Sequence, residues 1–428
     1  MRIASNGRPR WRSLVLGTVG SLVSVLAIGE EPSSPSDRLL LAPSARCTPA
    51  SRLEDPAKGR HRDLISSKGP FAAVWNRQAF IGPRVFTFAE SEMAATVELP
   101  GDFEPHQAIV LPGGWLAREA PDVLAQIARH TKPGLLVLLV DSPGQRAAVR
   151  RTLGEHGVVA EGLRFATVPT DTGWVRDYGP IFLRDAAGGL RAVDAAYDRP
   201  QRDRDETAPR PIAERFKATT TATPLRWHGG NLLSNGRGLV VTTTQAINAN
   251  IECGHQLDTV TDFLRDRCGV ERLVVLEHLV GEPTGHVDMF ACFTSADTIV
   301  VGRVDASVDP ENAAVLDRNA ARLAAVRTAD GKLNVVRMAM PSGGDGMWRS
   351  FTNIVFANGT LLVPSYPDVA PAAGEKALAL YRRLLGDWTV VGVDSRALAR
   401  HQGGPRCVTL YVPRDAGAPS DTVAPPVD

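Results

Sequence analysis

Short apolar runs of β type recur along the chain: Ala108–Leu111, Ile181–Leu183, Leu239–Thr243, Thr298–Val301 and Leu361–Val363. Between them lie stretches whose apolar residues return at helical spacing: Pro121–His130, Ser142–His156, Leu257–Cys268, Ala313–Ala325 and Gly374–Leu385. Strand and helix alternate, which predicts an α/β chain. The runs are spaced by roughly 60–70 residues, an interval that suggests five related units closing in a ring. Three of them share a lead-in of small polar residues: Asn235-Gly236-Arg237-Gly238, Ser295-Ala296-Asp297 and Asn358-Gly359-Thr360. An ordinary open α/β sheet would give the same alternation.

The flanks read differently. Arg2, Arg8, Arg10 and Arg12 precede an uncharged, largely apolar segment, Leu14–Ile28. Ala27-Ile28-Gly29 then supplies small residues for a cleavage site. This predicts an export signal over residues 1–29, or an uncleaved anchor that would be the only membrane contact. Residues 30–68 read as a Pro-, Ser- and Arg-rich linker. A single catalytic domain is expected over 69–414, followed by a disordered tail over 415–428. Net charge is +1, so no basic face is implied and nucleic acid is not an expected partner. Five cysteines are too few for a disulfide framework in 428 residues, although Cys253 and Cys268 could pair in an oxidising compartment. Cys253-Gly254-His255 with Cys268 fits no standard zinc spacing, so no metal is expected. Nothing in the pattern speaks to oligomeric state.

Four short stretches carry the candidate chemistry. Gly285-His286-Val287-Asp288 precedes an apolar run, Met289–Phe293. If it is extended, His286 and Asp288 face one space, where an imidazole and a carboxylate can hold a cation and move a proton. Trp174-Val175-Arg176-Asp177-Tyr178-Gly179-Pro180 leads into Ile181–Leu183 and sets Asp177 at a strand entrance. Trp227-His228-Gly229-Gly230-Asn231 places two glycines where backbone turns tightly or approaches a ligand. Gly403-Gly404-Pro405-Arg406-Cys407 enters the run Val408–Val412, with Arg406 near enough to favour a Cys407 thiolate. Singly, each has an ordinary structural reading: a buried His–Asp pair, a capping Asp, a turn, a core cysteine. Together they suit one task. Two carboxylates can grip a planar guanidinium, a thiolate can attack its carbon, and an imidazole can protonate the departing ammonia and activate water. No metal or organic cofactor is required.

These motifs resemble the agmatine deiminase and bacterial peptidylarginine deiminase family of guanidino-modifying enzymes. The resemblance runs from about Leu99 to Val412. It includes Phe103-Glu104-Pro105-His106, the Trp-x-Arg-Asp-x-Gly-Pro motif at 174–180, Gly-Gly-Asn at 229–231 and Gly-His-Val-Asp at 285–288. Asn353, Asn358, Pro364 and Gly-Gly-x-x-Cys-x-Thr at 403–409 complete it. It implies a five-bladed pentein α/β-propeller. It further implies Cys407 as nucleophile, His286 as general acid/base, and Asp177 and Asp288 as the guanidinium clamp. Asn353, Trp174, Arg176, His228, Asn231 and Arg199 are the further candidates to line the substrate site. Agmatine deiminases usually carry Glu where this chain has His228, and His where it has Arg406. They are also typically cytoplasmic. Tyr197-Asp198-Arg199-Pro200-Gln201-Arg202-Asp203 resembles the segment with which secreted peptidylarginine deiminases hold a C-terminal carboxylate. Arg199 matches its first arginine, and Gln201 stands at the second. A charged solvent loop is the competing reading. The expectation is an exported deiminase of C-terminal peptidyl arginine, with agmatine as the alternative substrate. An amidinotransferase and a non-catalytic binding protein of the same fold stand behind them.

Overall fold

Each of the five apolar runs lies in a strand, and each expected helix is present. The computed structural model describes residues 80–89, 97–197, 199–328, 331–341 and 345–414. The expected export segment, linker and tail lie outside the described residues. Among the described residues no helix is long and apolar enough to cross a membrane.

The strands form five separate sheets of three or four strands and a two-stranded ribbon, Arg327–Thr328 with Gly331–Lys332. One plan repeats. A strand pairs antiparallel with its neighbour, and that neighbour pairs in parallel with a third strand reached through a helical crossover. Ala291–Ser295, Thr298–Arg303 and Asn334–Ala339 follow it, with the helix Pro310–Ala324 as crossover. So do Val355–Phe356, Thr360–Ser365 and Thr389–Asp394, with the helix Pro371–Leu385. Leu233–Ser234, Leu239–Thr243 and Arg272–Leu276 form a third set, and Ile181–Asp185, Leu190–Ala195 and Thr219–Thr223 a fourth. In the fifth, the antiparallel partner of His106–Leu111 comes from the far end of the chain, Leu410–Pro413. Leu136–Val140 and Arg164–Thr167 extend that sheet in parallel. The crossover helices bury one apolar stripe on the sheets. In Pro121–His130 that stripe is Val123, Leu124 and Ile127.

The polar lead-ins seen in sequence are the hairpins between antiparallel partners. Gly236 and Gly238 take φ of +69° and +75°, and Asn358 and Gly359 take +46° and +99°, values that favour glycine and asparagine. Two helices begin three residues before their expected starts, at Pro310 and Pro371. Proline at the first helical position fits because its missing N–H would have no partner there, and Asp309 caps the first of the two. Leu190–Ala195 went unpredicted because Arg191 and Asp194 interrupt its apolar pattern.

A second regularity places the chemistry. The turn entering the first strand of each set carries one of the motif segments. Val175–Tyr178 precedes Ile181–Asp185, and Gly229–Asn231 precedes Leu233–Ser234. Val287–Met289 precedes Ala291–Ser295, Asn353 lies just before Val355–Phe356, and Arg406–Val408 precedes Leu410–Pro413. The helical turn Val175–Tyr178 packs against both the Gly229–Asn231 and the Arg406–Val408 turns, and the Gly229–Asn231 turn against Val287–Met289.

Candidate active site

His286 and Asp288 were expected on an extended strand. Instead His286 is extended and Val287–Met289 form a 3-10 turn. Gly285 enters it with φ of +65°. The Glu282 carboxylate accepts the N–H of Gly285 at 2.6 Å and of His286 at 3.3 Å. Asn231 locks the other side. Its Oδ1 accepts the Val287 N–H at 3.2 Å, and its Nδ2 donates to Thr243 Oγ1 at 2.9 Å and to the Gly285 carbonyl at 3.2 Å. Asn231 therefore shapes the turn that carries His286 and Asp288. Glu282 had no sequence signal.

Asp177 lies in the one-turn helix Val175–Tyr178 and accepts the Gly230 N–H at 3.1 Å. Its Oδ1 is 3.6 Å from His286 Nδ1. A Cβ on Gly230 would lie 2.5 Å from His286 Nδ1 and 2.7 Å from Asp177 Oδ1, so glycine is what lets these groups close on one another. Cys407 is buried in its 3-10 turn, and Asn353 organises it. Asn353 Oδ1 accepts the N–H of Arg406 at 2.8 Å and of Cys407 at 3.3 Å, and its Nδ2 donates to the thiol sulfur at 3.3 Å. A Cβ on Gly404 would lie 2.5 Å from Asn353 Oδ1, and one on Gly403 2.4 Å from the Trp174 ring. Trp174 is thus a packing wall against which the nucleophile loop rests.

Arg406 turns away from the thiol, toward two carboxylates. Its Nε donates to Asp102 Oδ2 at 2.6 Å and its Nη1 to Asp288 Oδ2 at 2.7 Å. Further bonds reach the carbonyls of Gly229 at 3.2 Å and Leu232 at 3.3 Å. Asp288 is fully buried and keeps Oδ1 without a partner among the described residues. Arg176 also points away from the expected site. Its Nη1 is 3.7 Å from Asp102 Oδ1, its guanidinium lies 4.5 Å over the Tyr411 ring, and it lines a cleft with His106 and Tyr411. Arg176 Nε and Nη2 have no hydrogen-bond partner among the described residues. Asp102 is the residue the sequence reading missed.

Burial dominates the electrostatics. It pushes the Cys407 thiol well above its usual range, and the Asp288 and Asp177 carboxylates push the same way. That direction favours the protonated thiol, and Arg406, bonded to Asp102 and Asp288, is not among the main influences that lower it. Burial raises Asp177 to about 6 against the pull of Arg199, the Gly230 N–H and Arg406. It raises Asp288 as well, with Arg406 and His286 opposing. It holds His286 below its usual value and His228 far below. Arg199 acts electrostatically on Asp177, His286 and His228, so its charge belongs to this site. His228 Nδ1 is 3.1 Å from His286 Nε2. Cys268 is a free buried thiol while Cys253 is disulfide-bonded, so the expected Cys253–Cys268 pair does not form.

A buried thiol, an imidazole and two carboxylates carried by three of the entry turns are the equipment of an enzyme acting on guanidino groups. Residues 98–413 match the Porphyromonas-type peptidyl-arginine deiminases, and the chain belongs to that family. It is 25% identical over 359 residues to the agmatine deiminase of Stutzerimonas stutzeri, covering 74% of this chain and 95% of that protein. It is 27% identical over 340 residues to the agmatine deiminase of Pseudomonas putida, covering 70% and 88%. Among solved structures, the agmatine deiminase of Enterococcus faecalis superposes with a TM-score of 0.64 at 22% identity, over 75% of this chain and 96% of that one. The fold is thus the mixed α/β fold of the pentein-type deiminases, and the protein is a hydrolase of C–N bonds in linear amidines.

Proposed function

We propose that the protein hydrolyses a guanidino group to a ureido group and ammonia, with agmatine as its substrate. The observation that carries the reaction is that Cys407 and His286 each lie within electrostatic reach of both Asp177 and Asp288, with Cys407, His286 and Asp288 buried and Asp177 nearly so. The names of the relatives support agmatine. Asp177 and the unpartnered Oδ1 of Asp288 receive the guanidinium N–H groups. Burial chiefly disfavours the Cys407 thiolate and the two carboxylates add to it; the bound cation offsets the carboxylates, so substrate binding itself promotes the thiolate. His286 takes the thiol proton as the sulfur attacks the guanidinium carbon. The C–N bond then breaks, and ammonia leaves with that proton from His286, leaving an S-alkylthiouronium. Water next attacks its sulfur-bound carbon as His286 takes a proton from the water. The C–S bond breaks to release the ureido product, and His286 returns the proton to the sulfur, which restores the thiol.

A second substrate reading rests on Arg199. Its charge at Asp177 suits a substrate that carries a carboxylate, such as an arginine at a peptide C-terminus. In the same proposal the five sheets are the blades of a ring, and the enzyme works in an oxidising compartment, which the disulfide at Cys253 supports. Cell fractionation tests the location.

Ammonia release from agmatine, free arginine and a peptide ending in arginine tests the substrate. Agmatine should be turned over best, and Cys407→Ser should lose nearly all turnover, because a serine hydroxyl stays protonated. Near-normal activity in that variant would remove Cys407 from the mechanism. Under the second reading, Arg199→Ala loses the arginine peptide selectively and spares agmatine.

A further inference from the structure

We propose that His228 is a positioning residue for His286 and that the two imidazoles carry one shared proton. This rests on the deiminase reading and deepens it. The rings stand nearly perpendicular, at 85°, with centroids 5.3 Å apart and His228 Nδ1 3.1 Å from His286 Nε2. The other nitrogen of His286, Nδ1, lies 3.6 Å from Asp177 Oδ1. His286 is thus held from both sides, with Asp177 at one nitrogen and His228 at the other.

The arrangement sets the proton count. In the neutral pair one N–H lies between the rings. When His286 is protonated, its Nδ1–H faces Asp177 and its Nε2–H donates to His228 Nδ1. A proton gained at Nδ1 can then pass from Nε2 to His228 and return, with no group leaving its place. A second proton would set two imidazolium rings against each other beside Arg199 and Arg406. The carboxylates of Asp288 and Glu282 favour charge on His286, and Arg199 and Arg406 oppose it. His228 faces the edge of His286, the Tyr197 ring at 5.2 Å, and the charges of Arg199, Arg226 and Arg202, with no carboxylate among its main influences. The pair is therefore a one-proton unit, and His228 gives His286 an acceptor without a counter-charge.

The measurement is the pH profile of ammonia release by wild type, His228→Glu and His228→Gln, with thermal melting to confirm folding. A carboxylate at 228 supplies the missing counter-charge, so the falling alkaline limb should move up by about one pH unit or more. Glutamine keeps a hydrogen-bond partner but takes no proton. It should lower kcat about 100-fold with little change in KM, because the substrate contacts are untouched. An alkaline limb unmoved in His228→Glu, or full kcat in His228→Gln, would overturn the proposal. NMR titration of nitrogen-15-labelled histidine in the wild type reads the same unit without turnover. The two rings should titrate together for one proton, and two independent titrations would sink the idea even if both variants misfold. Absence of ammonia from every guanidine would defeat the deiminase reading instead, leaving the titration to decide the pair.

Discussion

At the scale of single residues, the site is a balance of buried charges in which this chain supplies more cations than the clamp alone needs. Arg406 bonds Asp102 and one oxygen of Asp288, so in the proposed clamp Asp288 has one oxygen left for a substrate rather than two. Breaking such a buried pair costs about 3–5 kcal/mol, which ties the nucleophile loop to the frame. Asp177 is the titrating member of the proposed clamp. Its folded value of about 6 lies above that of an ordinary carboxyl, so the fold favours its protonated form. Its stability contribution is thus present at low pH and is lost as pH rises through about 6. Activity runs the other way, because only the ionised form grips a guanidinium. kcat/KM should fall about tenfold per pH unit below that value while the melting temperature does not fall on this group's account. Arg199 is the largest influence lowering this group, so Arg199→Ala should move the acid limb upward. A limb that stays put in that variant would take Asp177 out of the acid side of the profile.

At the scale of elements, the site is made by turns rather than by strands. Strands and crossover helices were readable because their apolar period is a property of local sequence. The motif stretches were readable as well, because glycines and chemistry-bearing side chains crowd the entry turns. What could not be read was side-chain direction. Arg176 lies beside Asp177 in sequence yet points to the Asp102 cleft, and Arg406 lies beside Cys407 yet bonds two carboxylates. Their partners come from segments remote in the chain, and no local pattern encodes that choice. Asp102 and Glu282 were missed for the same reason. Gly230 shows how little room the turns leave. Gly230→Ala should fold, because the turn sits at the entrance to its strand, yet push His286 and Asp177 apart. A loss of about 100-fold in kcat/KM is expected, with circular dichroism unchanged. Normal turnover in that variant would mean that the His286–Asp177 contact is dispensable.

At the scale of the whole molecule, one strand joins the two ends of the described domain. Leu410–Pro413 pairs antiparallel with His106–Leu111, and the Cys407 turn leads directly into it. Its side chains are deeply embedded. Leu410, Tyr411 and Val412 are all buried, Tyr411 stacks on His106 at 4.2 Å, and its hydroxyl accepts the Phe356 N–H at 2.9 Å. Burying such side chains contributes about 1.5–3 kcal/mol each, against a total stability of about 5–15 kcal/mol for a typical protein. Removing all three therefore takes away a large share of the margin, and it also leaves His106–Leu111 with an open edge that invites aggregation. A chain ending at Thr409, which retains Cys407 and every other site residue, should be insoluble or unfolded. A chain ending at Arg414 keeps the strand and the Arg414 N–H bond to the Pro105 carbonyl at 3.1 Å, so it should melt with the full-length protein. Thermal melting and ammonia release on both truncations make the comparison. If the chain ending at Thr409 folds and turns over substrate, the pairing of the two ends is an accessory to the fold, and the contacts of Asn353, Arg406 and Trp174 suffice to hold the Cys407 loop.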